Sequence, residues 1–213
     1  MVQNSPSAWK NNSLRQLTLA AVVAALYVVL TLPFAAFSYG PLQMRLSETL
    51  TVLPAMFPAT APGLWVGCFI ANFLNPDNLG PIDIFVGSAV TLIAGLATAN
   101  IAQPFRREVL ERLYQAHIAK TAEERDSALR SRQKGINLNL LLALLPPVLL
   151  NALVVGYYVA RLTFGGGGES LTYYTLFTMA SIFASQAIII YLVGLPLLLY
   201  LVRNRRVLNM LGK

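Results

Sequence analysis

Apolar residues run through this chain in long blocks, separated by a few short polar stretches. The blocks predict helical spans at about residues 14–32, 42–57, 63–74, 82–101, 138–162 and 171–202, since crossing a ~30 Å hydrocarbon core takes about 20 apolar residues. The blocks at 42–57 and 63–74 are short for that distance, so they are expected to be broken or sunk between longer neighbours. Pro54, Pro58 and Pro62 punctuate them with kinks and a tight turn. In 138–162, Pro146-Pro147 followed one turn later by Asn151 predicts an interrupted backbone near mid-membrane.

The stretches between blocks are distinct in kind. PFAAFSYGP at 33–41 reads as a short aromatic lid or interfacial loop, and NPDNLGPID at 75–83 as a polar turn. Residues 103–135 hold eight basic and five acidic residues. Val109, Leu110, Leu113, Tyr114, His117 and Ile118 form an apolar stripe there, which predicts an amphipathic helix at the membrane surface or against a partner.

With 56% hydrophobic and 12% charged residues in 213, the chain is far too apolar for a soluble domain of its size. The expected class is an all-α integral membrane protein, a single domain over 1–213 with the charged insertion at 103–135. The first block runs on into further hydrophobic segments without a small-residue cleavage site, so it reads as a span rather than a signal peptide. Six spans put both termini on one side together with the insertion. That side holds fourteen of the sixteen lysines and arginines, which predicts cytoplasmic termini. The net charge of +7 then records orientation rather than a nucleic-acid partner. One cysteine, Cys68, and one histidine, His117, lie far apart and read as a buried thiol and a surface imidazole, leaving no disulfide framework or Cys/His metal site.

Small residues mark close packing. Ala20, Ala21, Ala24 and Ala25 form two rows on the first span, and Gly87, Thr91, Gly95 and Ala99 form one on the fourth; such rows let helix backbones approach where lipid supplies no hydrophobic drive.

Ionisable residues inside spans are functional candidates by default. MRLSETLTVLP at 44–54 places Arg45 and Glu48 three residues apart, one face of a helix apart, where they are expected to pair. Outside the insertion the acids are Glu48, Asp77, Asp83 and Glu169, all in the predicted outward half. Asp77 and Asp83 also fit a helix cap or a solvated loop. A cavity ringed by these carboxylates, by Asn72, Asn75 and Asn151, and by Phe37 and Tyr39 suits a small flat molecule rich in N–H donors, or a cation. No GxxxxGK[ST] motif occurs, so either an energised partner drives any transport or the protein is passive. No nucleophile–base set or convincing carboxylate couple points to catalysis.

The strings ALYVVLTL at 25–32, YGPLQMRLSETLTVLP at 39–54, PGLWVGCFIANFL at 62–74, LGPIDIFVGSAVTLIA at 79–94 and PPVLLNALVVG at 146–156 resemble the QueT family. Members are substrate-binding S-components of energy-coupling factor (ECF) vitamin transporters, assigned to queuosine precursors. The resemblance implies a six-transmembrane-helix bundle in the cell membrane that captures a 7-deazaguanine base from outside. It further implies docking on a transmembrane coupling subunit with two cytoplasmic ATPases, the only users of ATP, and toppling in the bilayer to release substrate inward; no cofactor or metal is implied. The family's alanine row facing the coupling subunit maps onto Ala20, Ala21, Ala24 and Ala25.

On this reading Glu48 accepts the N1–H and amino edge of the base and Arg45 fixes Glu48 or meets a carbonyl oxygen. Asn72, Asn151 and Gln186 complete the polar set, Asp77 or Asp83 favours a substrate ammonium, and Phe37 and Tyr39 cover the ligand. Two features depart from the family: the insertion, where members have a short connection, and Ser185-Gln186, where members often carry Gly-Glu. The competing readings are an S-component for another vitamin-like or nucleobase substrate, a membrane-embedded enzyme acting on a lipid with Arg45, Glu48 and Asp83 at its centre, and an interaction protein working through its insertion.

Overall fold

A computed structural model describes residues 13–38, 43–119, 121, 123–124, 138–165 and 170–204. Tyr39, Glu169 and most of the insertion beyond residue 119 lie outside the described residues. Among the described residues every element is helical. Four helices are long and apolar enough to cross a membrane: α1 (Ser13–Phe34), α3 (Asp83–Ile101), α5 (Leu138–Phe164) and α6 (Leu171–Arg203). A shorter apolar helix, α2 (Thr60–Leu74), lies between α1 and α3, and α4 (Gln103–Ile118) follows α3.

The block at 42–57 takes an unexpected form. Residues 43–45 are not helical, and Leu46–Ala55 winds as a 3₁₀ helix with Pro54 inside it. At ~2.0 Å per residue, ten residues in this winding reach about 20 Å, further than the same stretch as an α-helix. Ser47 to Ala55 are all buried, and α1, α2, α3 and α6 pack around them. This is the sunken segment that its shortness predicts.

Apolar residues face outward as well as inward. Leu17, Val29, Phe73, Leu153, Leu176 and Leu192 are each more than half exposed, a surface suited to hydrocarbon and not to water. Three buried clusters hold the interior. Val23, Tyr27, Leu50 and Leu64 join α1, α2 and the 3₁₀ segment. Val90, Val155, Val159 and Ile182 join α3, α5 and α6. Val52, Met56, Leu144, Ile190 and Leu198 form the third with Phe105 and Val109 of α4. The insertion helix therefore seats the start of its apolar stripe on its own bundle. Arg106 strengthens that seat by donating Nη1 to Ala55 O at 3.2 Å and Ala99 O at 3.0 Å, carbonyls near the ends of the 3₁₀ segment and α3.

Glycine sets two of the close approaches. A Cβ on Gly63 would stand 2.3 Å from Ala20 O, and one on Gly67 would stand 2.8 Å from Ala24 O, so α1 and α2 nearly touch along their backbones. The alanine rows are thereby divided. Ala20 and Ala24 are committed to packing within the chain, and only Ala21 and Ala25 are exposed. Gly87, Thr91, Gly95 and Ala99 are all buried, as their spacing predicts.

α5 is interrupted by a turn at Leu144, nearer its start than the expected mid-span position, with Pro146-Pro147 opening the next helical piece. Three π-helical stretches, Asp83–Gly87, Asn151–Val155 and Ile188–Gly194, have no counterpart in the sequence reading. Two of them begin at Asp83 and Asn151, candidate site residues. A π turn inserts an extra residue and rotates the following side chains, and such turns recur at functional sites.

Candidate functional site

Five of the candidate residues lie in one buried network. Glu48 is 2% exposed and accepts from the Tyr27 hydroxyl at 2.6 Å on Oε1 and from Asn151 Nδ2 at 3.3 Å on Oε2. Asp83 is 1% exposed; its Oδ1 accepts from the Tyr158 hydroxyl at 2.7 Å, and Leu79 N–H donates to its Oδ2 at 3.5 Å. Asn72 Nδ2 donates to the Asp83 backbone oxygen at 2.8 Å.

Arg45 links the two halves. The 3₁₀ helix begins one residue after it, and Arg45 itself is extended, with φ −92 and ψ 112. Arg45 therefore does not share a helical face with Glu48 as expected, and its guanidinium also reaches away from that segment. Nε donates to Ser38 O at 2.8 Å, Nη1 lies 4.0 Å from Cys68 Sγ, and Nη2 lies 4.0 Å from Asp83 Oδ1. Thr91 and Asn72 also point at the Cys68 sulfur, at 3.4 and 3.7 Å. The buried thiol predicted from sequence thus lies inside the polar network rather than in plain core.

Charge buried in hydrocarbon is tolerable when it is paired and hydrogen-bonded. Here two carboxylates face one guanidinium, with phenols and amides supplying the remaining donors. Among the described residues no three His, Cys, Asp or Glu come together as metal ligands.

The remaining candidates fall elsewhere. Asp77 is exposed in the 75–83 turn, where its N–H bonds to Asn75 Oδ1 at 3.3 Å. Phe37 falls in the short helix Ala35–Ser38. Gln186 is 3% exposed on α6. Sequence reasoning missed Tyr27 and Tyr158, the two phenols that hold the carboxylates. Their signal was a polar tip at mid-span depth within apolar runs, which is also the look of an ordinary core tyrosine.

Helices with an apolar outer surface closing around a buried polar network define a membrane protein of the helical-bundle class. The sequence profile described as QueT transporter matches residues 17–203, and the chain belongs to that family. It is 40% identical over 75 residues to the "Queuosine precursor transporter QueT" of Lactococcus lactis subsp. cremoris (strain MG1363), a stretch covering 34% of this chain and 43% of the relative. The aligned part thus spans less than half of that relative's length. No solved structure matches.

Proposed function

We infer that the chain is the substrate-capture component of an importer for a queuosine precursor, a 7-deazaguanine base. The observation that carries this reading is the convergence of Arg45 and Glu48 from one segment with Asn72 of α2, Asp83 of α3 and Asn151 of α5 in one buried network. Its two carboxylates suit a donor-rich base or a base bearing an ammonium. Family membership and the name of the Lactococcus relative support the same substrate.

In this reading the bundle crosses the plasma membrane six times as one domain, with α2 and the 3₁₀ segment sunk among the four long helices and both termini in the cytoplasm. The network then lies in the outward half, Phe37 and Tyr39 cover the ligand, and Gln186 and Asp77 or Asp83 complete its surroundings. The protein carries no catalytic function and no resident cofactor. Energy comes from a transmembrane coupling subunit with two cytoplasmic ATPases. Ala21 and Ala25, exposed on α1, are the alanines placed to meet that subunit.

Uptake of a labelled 7-deazaguanine base into cells unable to make it tests the reading. Uptake is expected only when this chain and an ECF coupling module are expressed together. Uptake by the chain alone contradicts the coupling, and no uptake with both contradicts the transport.

A further inference from the structure

The charge bias along the chain leaves two exceptions: Arg45, buried in the polar network, and Arg161, exposed near the end of α5. α5 begins and α6 ends in the cluster that seats α4, with Leu140 and Leu198 both part of it. Arg161 and the start of α6 therefore lie at the opposite end of the bundle from α4 and Arg203.

The surface around Arg161 is aromatic. Tyr157, Arg161 and Phe164 follow one another at spacings of four and three in one α-helical stretch, so they share a face. The Arg161 guanidinium carbon lies 5.2 Å from the centre of the Tyr157 ring, a cation–π contact. Phe164 stacks on Tyr174 of α6 with ring centres 4.6 Å apart, and Tyr173 carries the row on, 5.6 Å from Tyr174 and 6.4 Å from Phe177. One patch thus runs over both helices. Its three tyrosines are 50%, 66% and 38% exposed.

Two physical conditions say what covers this patch. Leu162 and Leu176, on the same two helices, are also exposed, which suits a bilayer and not water. Phenol hydroxyls and a guanidinium, however, are costly in hydrocarbon without polar partners. Both conditions are met at the headgroup layer, where a tyrosine lays its ring on acyl chain and turns its hydroxyl to water or ester oxygen. Arg161 adds a preference for negative charge. Among the described residues the ion pairs are Arg45–Asp83 and Arg112–Glu108, so Arg161 leans on a ring and its charge is open to a phosphate.

We propose that this end of the α5–α6 pair docks an anionic phospholipid, with Arg161 on the phosphate, the tyrosine hydroxyls on phosphate and ester oxygens, and the rings against the upper acyl chain. The site needs only a bundle that sits in a membrane and is independent of any bound base. It also sets a depth. Tyr158, one residue from Tyr157, turns the other way and donates to Asp83, so the Asp83 end of the polar network lies close to the headgroup layer.

Native mass spectrometry of the purified full-length chain in uncharged detergent, titrated with phosphatidylglycerol, tests the site beside Arg161→Gln and Tyr157→Leu. Affinity for the tightest-held lipid is expected to fall about fivefold in Arg161→Gln, as for one cation at an anionic lipid surface, and two- to fivefold in Tyr157→Leu, which loses the ring face and the hydroxyl. The lipid-free melting temperature of Arg161→Gln should stay level, since the side chain is exposed. Wild-type affinity in Arg161→Gln overturns the proposal. So does a lowered lipid-free melting temperature in that variant, which would make Arg161 a part of the fold. Displacement of the lipid from the wild type by excess inorganic phosphate also overturns it, by showing a site for the free anion.

Discussion

The Tyr27 hydroxyl meets Glu48 Oε1 at 2.6 Å, so the carboxylate of the central 3₁₀ segment is held by the helix that is least enclosed. Only 22% of the apolar stretch of α1 is buried, against 44% for each of the other three long helices. A shift of α1 would therefore be felt at the polar network directly. That link makes Tyr27→Phe informative: the ring stays and one donor to a buried acid goes. The expected cost is about 1.5–3 kcal/mol, the range for a hydrogen bond to a charged group, seen as a lower melting temperature in detergent. An unchanged melting temperature would mean that Glu48 does not depend on this phenol.

Asp83 and Tyr158 form the second such pair, at 2.7 Å between α3 and α5. In a double-mutant cycle with Asp83→Asn and Tyr158→Phe, the two losses of stability should be non-additive by about 0.5–3 kcal/mol. Simple additivity would show the two residues to be energetically separate.

The divided alanine rows predict opposite outcomes for neighbouring changes. Gly63→Ala places a methyl 2.3 Å from Ala20 O, forcing α1 from α2 at a cost of about 1–3 kcal/mol. Ala25→Leu lies on the exposed side and should change stability by no more than about 0.5 kcal/mol, yet it should reduce uptake that depends on a coupling subunit. Melting curves and the uptake assay on the same two variants separate these effects; full uptake by Ala25→Leu would remove this face from the docking surface.

Arg106 ties the charged helix to the bundle through Ala55 O and Ala99 O. Because this guanidinium is only half-buried, Arg106→Ala should cost about 1 kcal/mol and make α4 open to limited proteolysis before the rest of the chain. Equal protease resistance in the variant would show that Phe105 and Val109 hold the helix unaided.

Much of the fold was legible because hydrophobic blocks and prolines act locally. The block limits anticipated α2 and α3 closely, and Pro146-Pro147 announced the break in α5. The 3₁₀ winding of Leu46–Ala55 was not legible, since it depends on enclosure by several helices rather than on composition. That winding also decided the fate of Arg45: starting the helix at Leu46 left Arg45 extended and sent its guanidinium toward Asp83. At the site, Glu48, Asp83, Asn72 and Asn151 stood out as polar residues in apolar runs. Tyr27 and Tyr158 did not, because a tyrosine satisfies an apolar pattern until a partner for its hydroxyl is known. The alanine rows were visible as small residues, but which row faced the neighbouring helix depended on Gly63 and Gly67, each 43 residues beyond its alanine.

The central claim is that this chain holds a 7-deazaguanine base within its buried polar network. Thermal denaturation of the purified protein with and without the base tests it most directly. Ligand at about a thousand times its Kd should add about 4 kcal/mol of stability, a large upward shift in melting temperature, and Asn72→Ala should lose much of that shift. A wild-type melting temperature that stays fixed across a saturating range of the base would contradict the account.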